Sequence, residues 1–168
     1  MNKLKRYTIL GFLFVSITGS ISHFVYEWSG NNLILGLFFP VNESTWEHMK
    51  LSFFPMTLYS FIMEKKLKKE YPCITSALPF GIITATFLIP AFFYTYSGIL
   101  GQHFLVLDIA VFLASVLVAF ITVYRLALSC SLSSYATTLK LLAGILAACF
   151  LCFTYHAPDL GIFMIPGK

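Results

Sequence analysis

From Pro72 to Tyr94 the chain runs without a single charged side chain. A bilayer core is crossed by about 20 apolar residues in one helix, and a backbone entering lipid has to satisfy its own hydrogen bonds. Such a stretch therefore restricts the chain to helices packed in a membrane. Composition agrees: 58% of the residues are apolar and 11% are charged, against about 45–50% and about 25% in soluble domains. A water-exposed globular domain, a disordered segment and a nucleic-acid module are disfavoured, and the lysines have a simpler reading in topology.

The pattern predicts an all-α polytopic membrane helix bundle, one domain over 1–168, with five spans: Tyr7 to Trp28, Glu47 to Met63, Pro72 to Tyr94, His103 to Tyr124 and Leu139 to Tyr155. The second is the weakest, because Glu47, His48 and Lys50 sit in its outer turn. The apolar run from Leu33 to Phe39, closed by Pro40, is too short to cross and reads as an interfacial or re-entrant piece. Lys3, Lys5 and Arg6 ahead of an apolar stretch imitate a secretory signal, but the stretch continues to Trp28 and reads as a retained span. Pro55, Pro79 and Pro90 lie within spans and predict kinks.

Five spans put the two ends on opposite sides. Lys3, Lys5, Arg6, Lys65, Lys66, Lys68, Lys69, Arg125 and Lys140, nine of the eleven basic residues, then share one side with Glu64 and Glu70. Lys50 and Lys168 fall on the other, with the remaining five acids. The excess of cations predicts a cytoplasmic N-terminus and an extracytoplasmic C-terminus.

All four histidines, His23, His48, His103 and His156, fall at or beyond the outward ends of the spans, as do Glu27, Glu43, Glu47, Asp108 and Asp159. His23 and Glu27 are four apart and share a helix face, and Glu43 and Glu47 repeat the spacing. Asn42 or Ser44 suits an N-cap, and the acids beside it suit the positive end of the helix dipole. Lys50, three residues beyond Glu47, reads as a tethered cation for that carboxylate. Trp46 and Trp28 read most simply as interfacial anchors. Asp108 lies inside an apolar span, where a carboxylate is costly and calls for a partner. The bland readings are a helix start for Asn42, Glu43 and Ser44, a solvated loop for His103 and a helix stop for His156, Pro158 and Asp159.

The four cysteines give no expectation of a disulfide framework. Cys149, Cys152 and His156 form a stripe that could ligate a soft metal, although small residues for helix packing explain the two cysteines more simply. Phosphate-cradling glycine loops, nucleophile elbows and HExxH motifs are absent from the sequence.

His23-x-x-x-Glu27 followed by Pro40-Val41-Asn42-Glu43-Ser44-x-Trp46-Glu47-His48-x-Lys50 resembles the signature of a group of small multi-spanning bacterial membrane proteins of uncharacterised activity. The resemblance covers the first third of the chain and implies a bacterial cytoplasmic membrane. In residue types alone, His23, His48, His103, His156 and Asp108 are similar to the site of the alkaline-ceramidase type of membrane-embedded zinc hydrolase, which has seven spans rather than five.

Imidazoles and carboxylates gathered at one face are what zinc or a similar divalent ion requires. The leading expectation is a metal-dependent membrane enzyme, a hydrolase or transferase acting on a lipid or lipid-linked substrate at the extracytoplasmic face. His23, Glu27, His48, His103 and His156 are the metal-ligand candidates, and Asp108 would orient one of the histidines. Glu43 or Glu47 would serve as general base, and Lys50 would meet an anionic headgroup or developing charge. Asn42, Ser44, Trp46 and Asp159 would support the site. The alternative is a transporter, channel or sensor that binds a cation, a proton or a small polar ligand at the same cluster.

Overall fold

A computed structural model describes residues 2–166. The described residues form helices and turns only: α1 (Lys3–Trp28), the short α2 (Leu33–Gly36), α3 (Thr45–Leu67), α4 (Ile74–Leu100), α5 (Leu105–Ser129) and α6 (Ala136–Phe153), with single 3₁₀ turns at Ser133–Tyr135 and Gly161–Phe163. The five long helices alternate in direction. Ion pairs from Lys3 to Glu70 and from Lys140 to Glu64 gather the ends of α1, α3, α4 and α6 at one lysine-rich end of the bundle. The histidines of α1, α3 and the α4–α5 turn gather at the other.

Each boundary has a local cause. Asn2 caps α1 by accepting from the Lys5 N–H, and α1 stops where Gly30 and Asn31 take the left-handed backbone that other residues avoid. Asn32 caps α2 through the N–H groups of Ile34 and Leu35. Gly101 and Cys130, both left-handed, end α4 and α5.

α3 and α4 are the central pair. α3 packs on α1 and α4, α4 also carries α5 and α6, and α1 closes on α5. Met49, Phe53, Met56, Met63, Val116, Phe120 and Phe150 fill the space between them. On α1, a Cβ at Gly11 would strike Tyr59 and Phe120, and one at Gly19 would strike the Leu51 carbonyl and Phe112. Glycine here permits backbone-to-side-chain approach, as small residues do between membrane helices.

Among the described residues four helices, not the expected five, are long and apolar enough to cross a membrane: α1, α4, α5 and Ser133–Phe153. A multi-pass membrane protein is compatible with them. α3 misses because Glu47, Lys50, Glu64, Lys65 and Lys66 lie within its length, and a helix buried among others need not be apolar throughout. Its open side carries Leu58, Phe61 and Ile62.

Two further expectations are corrected. Trp46 is buried, with its ring against Phe150 at 4.7 Å and Phe163 at 4.8 Å between centroids, so it fills the core instead of anchoring an interface. Trp28 is 70% exposed, as an anchor would be. Cys73 and Cys130 are disulfide-bonded, because antiparallel α4 and α5 bring the N-cap of one beside the C-cap of the other. Cys149 and Cys152 are free.

Most hydroxyls in the helices bond back to their own backbone: Thr18 to Phe14, Ser60 to Thr57, Ser115 to Val111 and Thr122 to Val118. The Ser16, Thr45 and Thr57 hydroxyls and the Trp46 indole N–H are buried without a partner among the described residues.

Candidate metal centre

Ser44 starts α3, and its hydroxyl accepts from the Glu47 N–H. Asn42 accepts from the Ser44 N–H at 2.8 Å and tightens the turn ahead of it. This turn holds Glu43 just outside the helix, near the positive end of the dipole. His48 lies one turn into α3, and its Nδ1 is 2.9 Å from the Ser44 carbonyl oxygen. A carbonyl only accepts, so Nδ1 carries the proton and Nε2 is left for another partner. That partner is Glu43, whose Oε2 lies 3.4 Å from His48 Nε2.

His23 reaches the same oxygen from α1, with Nε2 at 3.5 Å. It stands four residues beyond Gly19, which faces the Leu51 carbonyl of α3, on the same helix face. The two imidazoles lie 5.3 Å apart between centroids. One ligand atom from each of His23, Glu43 and His48 lies within 4.8 Å of the others. A carboxylate only accepts, so when His48 carries a second proton on Nε2 it donates to Glu43 and holds that carboxyl below the usual carboxylate range.

The trio stands at the wall of a cavity of about 380 Å³. Thr45, Leu51, Ile89, Phe93, Leu105, Val111, Phe112 and Pro166 line it, together with His103 and Asp108. The volume falls in the range of about 300–1,000 Å³ typical of small-molecule pockets.

Glu47 and Lys50 stand elsewhere. Both are buried, and Lys50 Nζ donates to Glu47 Oε2 at 2.7 Å, to the Gly36 carbonyl at 3.1 Å and to the Thr154 hydroxyl at 2.6 Å. All three ammonium protons are used. Glu47 Oε2 also accepts from the Val41 N–H at 3.0 Å. This pair fastens α2 and Val41 over the bundle and joins them to the end of α6.

Glu27, His156 and Asp159 are exposed and line no part of the cavity. The sequence pairs Glu27 with His23 by spacing, whereas the structure gives that place to Glu43, from a loop twenty residues away along the chain. Tyr96, missed at the sequence level, donates its hydroxyl to Asp108 Oδ1. Its place near the outer end of an apolar helix, above an acid in the next one, was the available signal.

Over residues 1–167 the chain matches the family described as Family of unknown function (DUF6512), and it belongs to that family. No curated protein and no solved structure matches it.

Proposed function

We propose that this member of a family of unknown function is a membrane-embedded, metal-dependent hydrolase or transferase acting on a lipid or lipid-linked substrate, with zinc held by His23, Glu43 and His48. The observation behind the reading is the approach of two imidazole Nε2 atoms to one carboxylate oxygen, at 3.5 and 3.4 Å. Tetrahedral zinc bonds of about 2.0–2.1 Å set ligand atoms about 3.3–3.4 Å apart. Two edges of the trio, at 3.4 and 3.5 Å, are close to this length, and the third is no longer than 4.8 Å.

Three protein ligands leave one position open, and zinc there would bring the pKa of a bound water to about 7. The Ser44 carbonyl, bonded to the far nitrogen of His48, supports the tautomer and ring orientation that a ligand needs. Leu51, Ile89, Leu105, Val111 and Phe112 make the rest of the cavity apolar, which suits the chain of an amphiphile. The residue types are those of the alkaline-ceramidase type of hydrolase, and the analogy extends no further.

All five long helices cross the membrane in this reading. α3 keeps its charges near its two ends and turns Leu58, Phe61 and Ile62 outward. The lysine-rich end faces the cytoplasm and the histidine end faces outward from a bacterial cytoplasmic membrane. The rival, a conduit for an ion or small solute, needs a polar path to the lysine-rich end. Met56, Tyr59, Phe120 and Val123 are packed there instead.

The test is metal analysis of purified protein with assay on membrane lipids. Wild type is expected to carry about one zinc ion per chain and to release product from a lipid extract in a chelator-sensitive way. His23→Ala and His48→Ala are expected to lose the metal. Wild type without zinc, or variants with undiminished zinc, overturns the reading.

A further inference from the structure

His103 lines the same cavity yet stands outside the metal-binding trio. Its Nδ1 lies 3.2 Å from Asp108 Oδ2. The other carboxylate oxygen takes the Tyr96 hydroxyl proton, and the Tyr96 oxygen accepts from the Phe104 N–H at 3.3 Å. Because a backbone N–H only donates, the direction of the chain is set: Phe104 to Tyr96, Tyr96 to Asp108. The carboxylate then accepts from both sides, so the His103 proton sits on Nδ1. Its Nε2 is left bare on a side chain that is 48% exposed. Asp108 comes from α5 and Tyr96 from α4, so two packed helices orient one imidazole.

We propose that His103, oriented by Asp108 and Tyr96, is the proton-transfer residue of this cavity, and that the substrate is a carboxylic ester or amide of an acyl chain. The proposal rests on the metal-centre reading above. The cavity wall favours a neutral acyl carbonyl over a phosphate group, since no lysine or arginine stands among its described lining residues to meet a phosphate. Leu51, Val111 and Phe112 offer the chain an apolar berth.

The step balances with water as the only co-reactant. A water oxygen bonds to the carbonyl carbon, and the proton it loses goes to His103 Nε2. The imidazolium, held by the Asp108 carboxylate, passes that proton to the departing oxygen or nitrogen as its bond to the carbonyl carbon breaks. A carboxylic acid and an alcohol or amine are released, and nothing is oxidised or reduced. A carboxylate behind the imidazole steadies the charged form and fixes the tautomer.

The test compares zinc-loaded wild type, His103→Ala and His103→Gln on the ethyl and 4-nitrophenyl esters of decanoic acid. Nitrophenolate leaves readily without a proton, and ethoxide does not. Both variants are expected to keep their zinc and to lose about 100-fold or more on the ethyl ester, with a loss at least tenfold smaller on the nitrophenyl ester. Independently of turnover, ¹⁵N spectra of histidine-labelled metal-free protein should show His103 protonated on Nδ1, with the two tautomers mixed in Asp108→Asn. Equal losses on the two esters, no loss on either, or an unchanged tautomer in Asp108→Asn overturns the proposal. Zinc-bearing wild type that fails to cleave the ethyl ester overturns it while leaving the metal centre standing. Wild type without zinc overturns both.

Discussion

His48 turns one ring nitrogen onto the carbonyl of Ser44, four residues back and 2.9 Å away, and thereby aims the other at Glu43. A backbone oxygen cannot titrate or rotate away, so the direction of His48 is built into the first turn of α3.

The acid limits of metal binding and of folding should therefore separate. Glu43 has its carboxyl held low by His48. A depressed carboxyl contributes stability that is present above its unfolded value, about 4.3, and lost as pH falls through the folded one. Metal binding needs bare imidazoles, for which protons compete at higher pH than they compete for a carboxylate. Zinc content measured from pH 8 to pH 4 should fall near the imidazole range, while the metal-free protein keeps its melting temperature until the carboxylate range. Zinc loss confined to the carboxylate range would contradict this assignment of ligands.

Lys50→Met should be among the most damaging single changes. Among the described residues it removes the only cation bonded to Glu47, and an uncompensated buried charge costs about 3–5 kcal/mol. The double variant Glu47→Leu with Lys50→Met should be clearly more stable than Lys50→Met alone, as read by thermal unfolding in detergent. A double variant no more stable than the single one would show that the pair does not act as a unit.

Gly19→Leu changes no ligand and should still weaken the metal centre. Its side chain would press on the Leu51 carbonyl and Phe112, and overpacking of this kind costs about 1–3 kcal/mol. Displacing α1 carries His23 away from Glu43, so zinc affinity should fall about tenfold or more. Competition with a chromophoric chelator measures it. Unchanged affinity would mean that the approach of α1 does not set the position of His23.

The Cys73–Cys130 bond is at the lysine-rich end, which the proposed orientation puts in the cytoplasm, a reducing compartment. Alkylation in intact cells should find all four cysteines as thiols, and air-exposed purified protein should show two, Cys149 and Cys152. A bond that persists in cells, together with labelling of reduced Cys130 by a membrane-impermeant reagent from outside, would invert the orientation.

Helix identity was legible in the sequence because apolar runs and a capping residue such as Ser44 are local signals; the caps at Asn2 and Asn32 appear only in the structure. The gathering of His23, Glu43, His48, His103 and Asp108 at one end was legible too, since alternating helices sort side chains by end. Which of them meet was not. Spacing favours Glu27 as the partner of His23, but contact is decided by how α1 packs on α3, where Gly19 faces the Leu51 carbonyl. Lys50 and Glu47 have the composition of a reactive pair, and only the arrival of Gly36 and Thr154 shows that every proton is taken. The disulfide escaped because the antiparallel fit of α4 and α5 brings together residues that local signals leave unrelated.

The Lys50 ammonium joins pieces of chain made at different times. Gly36 and Glu47 are nearby in sequence, whereas Thr154 is 104 residues further on. Until α6 docks, a buried cation lacks one of its three acceptors and the segment carrying Glu43 is only partly fastened. The turn that carries Glu43 is thus fully fastened only once α6 is in place, and a chain that ends before Thr154 would leave the Lys50 ammonium one acceptor short.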